Sequence, residues 1–461
     1  MNVKRIIMLI LPMSLAAGCL PEKRIIWSPD GSKAAVVAAN GLYFVDDKGK
    51  VLEPRLKSGH MQCDWFPDGR RLAVIHTVKA TKWSQIAELF SAEEVTSIKR
   101  DATALHERML KYEGDSKKFD LDPDDKLPAG RQLATLLYVR DHDSDGLREK
   151  YGEEWDNIEK MDVSVYHLQV FELAADSLEP GEVLLRSLEQ MVRPRIDPTG
   201  KHIAFLLGDS VSDDDAVSLW VVPAAGGKDR RIAPNVAIEY DWSPDGRGMA
   251  FIRCSAAEGQ TAENVHLGSV TTARVAGPDG ALLEEWAEVQ DRVGLLFNRT
   301  LGVDWLSDGR LLFSSVELTL PATSRDMPQQ WSLFVLDPRT PASVARVLAR
   351  DFSEPLDVGL PLFEVSPDET KVLLPGPKGR LSLYEFASGS AVSLVSEDDR
   401  KGKLRSLPSW RNNSEITLVA PAPLGQAADE ASAVFIWKEG QARLFSTDWP
   451  DELKEGWLVG E

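Results

Sequence analysis

The sequence predicts an all-β protein made of seven copies of one four-stranded antiparallel unit, and three observations predict it. A short phrase recurs seven times: WSPDG at 27, WFPDG at 65, IDPTG at 196, WSPDG at 242, WLSDG at 305, VSPDE at 365 and WRNNS at 410. Three further short apolar runs follow each phrase. Successive phrases start 38, 131, 46, 63, 60 and 45 residues apart, and every spacing but one suits a small sheet of roughly 40–50 residues.

The phrase reads as a turn. Proline presets φ for the first central position, aspartate or asparagine tolerates the next, and glycine takes the left-handed position after it. Such a turn joins two antiparallel strands. The turn residues singled out are Asp30, Gly31, Asp68, Gly69, Asp245, Gly246, Asp308 and Gly309. Second strands follow at Lys33 to Ala38, Leu72 to Ile75, Ile203 to Leu207, Met249 to Ile252, Leu311 to Phe313, Val372 to Leu374 and Ile416 to Val419. Third strands lie in LYFVDD, VYHLQVFEL, SLWVV, TTARVAGPDG, WSLFVLD, LSLYEF and AVFIW. Fourth strands lie in KVLEPRL, EVLLRSL, KDRRIA, ALLEEW, ARVLAR, AVSLVS and ARLFS. One such sheet cannot cover both of its faces, so the units must stack around an axis. The prediction is a seven-bladed β-propeller over 25–446, with the tryptophan that opens most phrases packed between neighbouring blades.

The phrases WSPDGSKAAVV, WFPDGRRLAVI and WSPDGRGMAFI resemble the repeats of TolB-type and related WD-type bacterial propellers, in register from about 25 to about 446. The resemblance implies a propeller that serves as a docking platform, as TolB does in the Tol-Pal system of the cell envelope. It also departs: TolB has an α/β domain ahead of its propeller, whereas five residues separate Cys19 from the first strand here. TolB's partners therefore do not carry over. The units start and end in phase, so no strand is expected to be shared across the seam. The tail, 447–461, could brace that seam through Trp449 and Trp457 or hang loose, and the two readings weigh equally.

The long spacing breaks the rhythm between Val78 and Val163, and there the two-residue period gives way to a helical one. An insertion over 80–160 in blade two is predicted. Ser91 with Glu94 forms a capping box ahead of Val95, Ile98, Ala102, Leu105 and Met109. A second helix carries Leu133, Leu136 and Leu137, and a third carries Leu147, Tyr151, Trp155 and Ile158. Their apolar stripes are expected to pack on each other and on the propeller. Between the second and third helices, DHDSDG sets Asp141, Asp143 and Asp145 at the first, third and fifth places of an EF-hand-like loop, with Gly146 at the sixth. Calcium is the metal such oxygens would suit. The twelfth place is Gly152 instead of a glutamate, which favours a plain solvated acidic loop.

The N-terminus MNVKRIIMLILPMSLAAGC has a basic start, a short apolar core and small residues before a cysteine, the pattern of an export signal over 1–18. LAAGC resembles the bacterial lipobox, with Ala16 three places before the cysteine, so Cys19 is the expected lipidation site and 19–24 a lipid-anchored linker. Leu20 after the cysteine, where aspartate would favour the inner membrane, points to the periplasmic side of the outer membrane. The formal charge of −19 argues against nucleic acid as a partner. Cys63 and Cys254 fall in non-adjacent units, so they are expected to be free thiols.

No G-x-S-x-G nucleophile elbow is present, and LHERM at 105–109 lacks the second histidine of a zinc helix. The turn phrase also differs from the S-x-D-x-G-x-x-W box of sialidases. The seven histidines, His60, His76, His106, His142, His167, His202 and His266, are scattered. The expectation is a membrane-anchored, non-catalytic protein-binding platform in the bacterial envelope. The alternative is a hydrolase or lyase with carboxylates at the mouth of the central channel. An enzyme should gather carboxylates, histidines or arginines with displaced pKa values at that mouth, and a scaffold should expose an apolar or aromatic patch.

Overall fold

The computed structural model describes residues 23–38, 40–57, 61–124, 127–174, 177–208, 217–254, 266–297, 302–316, 331–340, 344–353, 363–375, 381–395, 407–421, 432–446, 449–451 and 453. Every strand pairing in it is antiparallel. The first sheet holds β1 (Ile25–Trp27), β2 (Lys33–Ala38), β3 (Gly41–Asp46) and β4 (Val51–Leu56). The second holds β5 (Met61–Trp65), β6 (Arg71–Ala80), β7 (Val163–Leu173) and β8 (Leu178–Ser187). A seven-stranded sheet follows, from β9 (Gln190–Ile196), β10 (His202–Gly208) and β11 (Val217–Pro223) through β12 (Arg230–Trp242) to β13 (Gly248–Cys254), β14 (His266–Ala276) and β15 (Leu282–Phe297). Three four-stranded sheets complete the chain: β16 (Val303–Trp305), β17 (Leu311–Val316), β18 (Trp331–Leu336), β19 (Arg346–Ser353); β20 (Glu364–Val365), β21 (Lys371–Pro375), β22 (Leu381–Glu385), β23 (Ser390–Val395); and β24 (Ser409–Trp410), β25 (Glu415–Pro421), β26 (Ser432–Lys438), β27 (Gln441–Leu444). An all-β chain of repeated four-stranded antiparallel sheets, with few helices, fits a β-propeller.

One expectation needs correcting. The third and fourth units are not separate sheets, because β12 serves both. Its first half pairs with β11, Arg230 opposite Val221, and its second half pairs with β13, Trp242 opposite Met249. No glycine or loop interrupts RRIAPNVAIEYDW, so the strand runs on through the junction. Asn235, at φ 55, absorbs the change of direction, a conformation that asparagine tolerates better than most residues.

The sheets bury their faces against one another. Ala35, Leu42 and Phe44 pack on Met61, Trp65 and Leu72; Phe66 and Ile75 pack on Phe205 and Val222; Leu373 packs on Leu418 and Phe435. Side chains of this size contribute about 1.5–3 kcal/mol each when fully buried. The first strands of the units lie side by side: β1 touches β5, β5 touches β9, β9 touches β12, β12 touches β16, and β20 touches β24. Gly302, ahead of β16, lies against the Phe363 ring ahead of β20. β24 touches β1, which brings the circuit back to its start.

That return is made by side chains, without strand exchange. Trp27 Nε1 donates to Thr417 Oγ1 at 2.6 Å, and the Arg411 guanidinium stands 5.1 Å from the Trp27 ring centroid. Arg411 Nε donates to Gly31 O at 3.2 Å. A Cβ on Gly31, at φ +66, would fall 2.7 Å from the Arg411 carbonyl oxygen, so both backbone sign and close approach demand glycine there. Of the tail, Trp449 is buried and donates Nε1 to Gly49 O at 3.0 Å, which braces the junction; Trp457 lies outside the described residues.

Between β6 and β7 the chain forms α1 (Trp83–Leu89), α2 (Ala92–Lys111), α3 (Ala129–His142), α4 (Leu147–Tyr151) and α5 (Glu153–Glu159). The capping box is formed: Glu94 N donates to Ser91 Oγ at 3.3 Å, and Ser91 N donates to Glu94 Oε2 at 3.0 Å. Ile98, Ala102, Leu105 and Met109 are buried with Leu136, Leu137, Trp155 and the strand residues Ala80, Val163 and Val165. Two expectations change here. α1 was not foreseen, and the third predicted helix is split at Gly152, whose φ of 51 and ψ of −123 are not helical.

Candidate functional site

The centre of the circuit is built by one position of the repeat. In a strand, neighbouring side chains point to opposite faces. At three phrases the opening tryptophan turns back to the preceding unit: Trp65 Nε1 donates to Ile26 O at 2.9 Å, Trp242 Nε1 to Arg195 O at 3.2 Å, and Trp410 Nε1 to Glu364 O at 3.0 Å. The residue before it turns forward. Asp64 Oδ2 accepts from Ile196 N at 2.9 Å, and Asp241 Oδ2 accepts from Trp305 N at 2.8 Å. The seven residues in this second place are Ile26, Asp64, Arg195, Asp241, Asp304, Glu364 and Ser409.

Arg195 is the hub. Its Nη2 lies 2.7 Å from Glu239 Oε2, and its Nη1 lies 3.3 Å from Asp241 Oδ1 and 3.9 Å from Asp304 Oδ1. The guanidinium also stands over the Tyr240 ring, 5.7 Å from its centroid. Arg193 reaches Glu239 at 3.5 Å, and Lys23 reaches Glu364 at 2.6 Å. The Tyr240 hydroxyl donates to Arg193 O, and Gln62 Oε1 accepts from Arg193 N.

Burial dominates the electrostatics. It works against the charge on Arg195, yet Glu239, Asp241 and Asp304 outweigh it and hold the guanidinium ionised, its pKa raised. Burial raises the Asp64 carboxyl, with partial relief from Ile196 N–H and Arg195. It raises Asp241 likewise, against Arg195 and the Trp305 N–H. Asp304 is pushed well above the usual carboxylate range, by burial first and by the Asp241 charge second. Tyr240 rises well above its ordinary value, mainly through burial. Asp241 and Asp304 still keep 24% and 25% of their side-chain surface accessible, so a small wetted space remains beside them. Asp64 and Asp241 thus act as ties to the next sheet, while Asp304 favours keeping a proton that it could donate.

The singled-out turn aspartates serve their own turns. Asp30 Oδ1 accepts from Ser28 Oγ at 2.6 Å and Ser32 N at 3.0 Å, and Asp245 Oδ1 accepts from Ser243 Oγ at 2.6 Å and Arg247 N at 3.1 Å. Asp68 Oδ1 accepts from Arg70 N at 2.8 Å and Asp308 Oδ1 from Arg310 N at 2.9 Å. Gly31, Gly69, Gly246 and Gly309 all take positive φ.

In the acidic loop, Asp141 makes its hydrogen bonds outside DHDSDG. α3 runs through His142, which turns Asp141 inward: its Oδ2 accepts from Trp83 N at 2.7 Å and its Oδ1 from Arg140 Nε at 2.8 Å. Both oxygens are therefore committed away from Asp143 and Asp145. Among the described residues no three His, Cys, Asp or Glu side chains gather to hold a metal ion. Cys19 lies outside the described residues. Cys63 and Cys254 form no disulfide with each other, and burial, then Asp64, pushes the Cys63 thiol up. The larger apolar side chains exposed among the described residues are Val78, Leu110, Trp286, Val344, Val392 and Leu444.

Sequence reasoning missed the central cluster, although a signal for it existed in the residue immediately before each phrase. It also missed that His76 and His167, 91 residues apart in sequence, meet across β6 and β7 with ring centroids 5.2 Å apart.

No protein family's sequence profile matches the chain, and no curated protein does. Among solved structures, the chain is similar to TolB from Acinetobacter baumannii, with 15% identity, 60% of this chain and 59% of that chain covered, and a TM-score of 0.37. It is similar to the β-propeller domain of the Trilobed protease from Pyrococcus furiosus, with 14% identity, 61% and 80% covered, and a TM-score of 0.37. It is also similar to oligogalacturonate lyase from Vibrio parahaemolyticus, with 16% identity, 76% and 73% covered, and a TM-score of 0.42. The match takes in less than two thirds of the TolB chain.

Proposed function

We propose that the protein is a non-catalytic, lipid-anchored binding platform of the bacterial envelope: a seven-bladed β-propeller with a helical insertion in blade two, held by Cys19 on the periplasmic side of the outer membrane, that binds an envelope protein. The central cluster has the displaced pKa values expected of an enzyme, and what favours the non-catalytic reading is that its polar groups are committed to one another. Asp64 and Asp241 each accept a backbone N–H of the next sheet, and Arg195 is shared by three carboxylates. A catalytic constellation needs groups free to meet substrate, and these are joined to each other. The seven repeated phrases support the blade count, with β12 belonging to two blades, and the helices between β6 and β7 support the insertion.

A second reading draws on Asp304. Its raised pKa, beside Asp241 in a partly wetted space, is what a general acid in a hydrolase or lyase would have. One experiment separates the two: affinity capture of the lipidated protein from native membranes, wild type beside Asp304→Asn, with mass spectrometry of what is retained. The platform reading expects one envelope protein in fixed proportion with both forms. A turnover found in wild type and lost in Asp304→Asn would overturn it. The anchor is tested by Cys19→Ser, which should abolish lipid labelling and release the protein from membranes.

A further inference from the structure

The first strands of the units all begin on one side of the circuit and end, at the turn phrases, on the other. The cross-links between them run in a single sense: Gln62 of β5 meets Arg193 of β9, Asp64 meets Ile196 two to three residues on, and Asp241 of β12 meets Trp305 of β16. Two features lie on the side where these strands begin. Lys23 lies there, two residues before β1, and its side chain reaches inward to Glu364, the residue just ahead of a turn phrase. The helices leave from Ala80; since Met61, the first residue of β5, pairs with His76, β6 has by then run past the start of β5. Gly130 of α3 then packs on the Leu188 carbonyl, just ahead of β9, where a Cβ would stand 1.7 Å from the oxygen.

We infer that this side, which carries Lys23 and the helices, faces a lipid bilayer, and that the turn phrases face away from it. The inference rests on the lipid-anchor reading and adds an orientation to it. Cys19 precedes Lys23 by four residues, a reach of about 14 Å when fully extended. A four-stranded sheet is itself about 14–15 Å across. A tether held at the centre by Lys23 therefore cannot pass round the rim to the turn side. The way through the middle is taken by Arg195 and its carboxylates. The lipid surface is thus confined to the side where the first strands begin, and the helices stand between the sheets and the bilayer.

The test uses the full lipidated chain, purified in detergent and reconstituted into phosphatidylcholine vesicles that contain nitroxide-labelled lipid. Cys254 is replaced by serine, and buried Cys63 is kept. A fluorophore is placed by Lys111→Cys in α2, a side chain 78% exposed, or by Asp68→Cys in a turn phrase. The expected result is loss of fluorescence at 111 and none at 68. Equal quenching, or quenching at 68 alone, in protein that floats with the vesicles would overturn the orientation and leave the anchor standing. Failure of the wild type to float would overturn the anchor and this inference with it.

Discussion

Trp27 Nε1 donates to Thr417 Oγ1 at 2.6 Å, joining the first unit to the last across 390 residues. The other indoles, at Trp65, Trp242 and Trp410, use a backbone carbonyl of the preceding unit instead. At this junction the indole therefore depends on a side-chain acceptor, beside the contacts that Arg411 and Trp449 make across it. Thr417→Val should cost about 1–3 kcal/mol in urea unfolding, because a buried N–H is left unmet, and Thr417→Ser should restore most of it. Equal stability of the valine variant would mean that the indole finds another acceptor.

Asp304 gives a pH-dependent prediction. Its folded pKa lies above the unfolded one, so the folded state binds the proton more readily and stability falls as pH rises through the folded pKa. Asp304→Asn removes that loss. Unfolding at pH 8 should show a gain of about 1 kcal/mol, and at pH 4 none. A loss at pH 8 would mean that Arg195 depends on the Asp304 charge.

His76 and His167 work in the opposite direction. Burial lowers both, and takes His167 to about 4 with help from His76 and Arg186. The unfolded chain takes up protons first as pH falls below about 6.5, so stability should be lost between there and about 4, by about 3 kcal/mol at most for His167. The slope of stability against pH should flatten in His167→Phe. An unchanged slope would place the effect elsewhere.

Glu369 stands where most phrases have glycine, at φ 54. Its carboxylate accepts from Ser307 N and from Ser307 Oγ, each at 2.7 Å, and so binds its turn to the preceding one. Glu369→Gly loses those bonds and relieves the backbone, and should change stability by less than about 0.5 kcal/mol. Glu369→Ala loses the bonds and keeps the strain, and should cost about 1–2 kcal/mol. Chemical unfolding of the two variants side by side checks the difference.

Asp141 caps α1 through Trp83 N. Asp141→Ala should destabilise the helical segment by about 1 kcal/mol, read as faster hydrogen exchange in α1. Calorimetric titration with calcium should give the same heats before and after the substitution.

The sequence by itself determined what is local. Proline, aspartate and glycine fix a turn within four or five residues, and a two-residue period fixes the strands on either side. The repeats, the hairpins and the Ser91–Glu94 box were legible for that reason, and so was the burial of the α2 stripe. Only the tertiary structure decided the rest. Asp64, Arg195, Asp241, Asp304 and Glu364 are separated by dozens to hundreds of residues; the first four meet because β5, β9, β12 and β16 lie side by side, and the Glu364 charge acts on Asp304. Their charges displace one another's pKa values only because that meeting removes most of the water between them. The same holds for β12, where no local signal ends the strand and pairing on both sides keeps it whole, and for Asp141, whose oxygens look free in DHDSDG until α1 brings the Trp83 N–H against them.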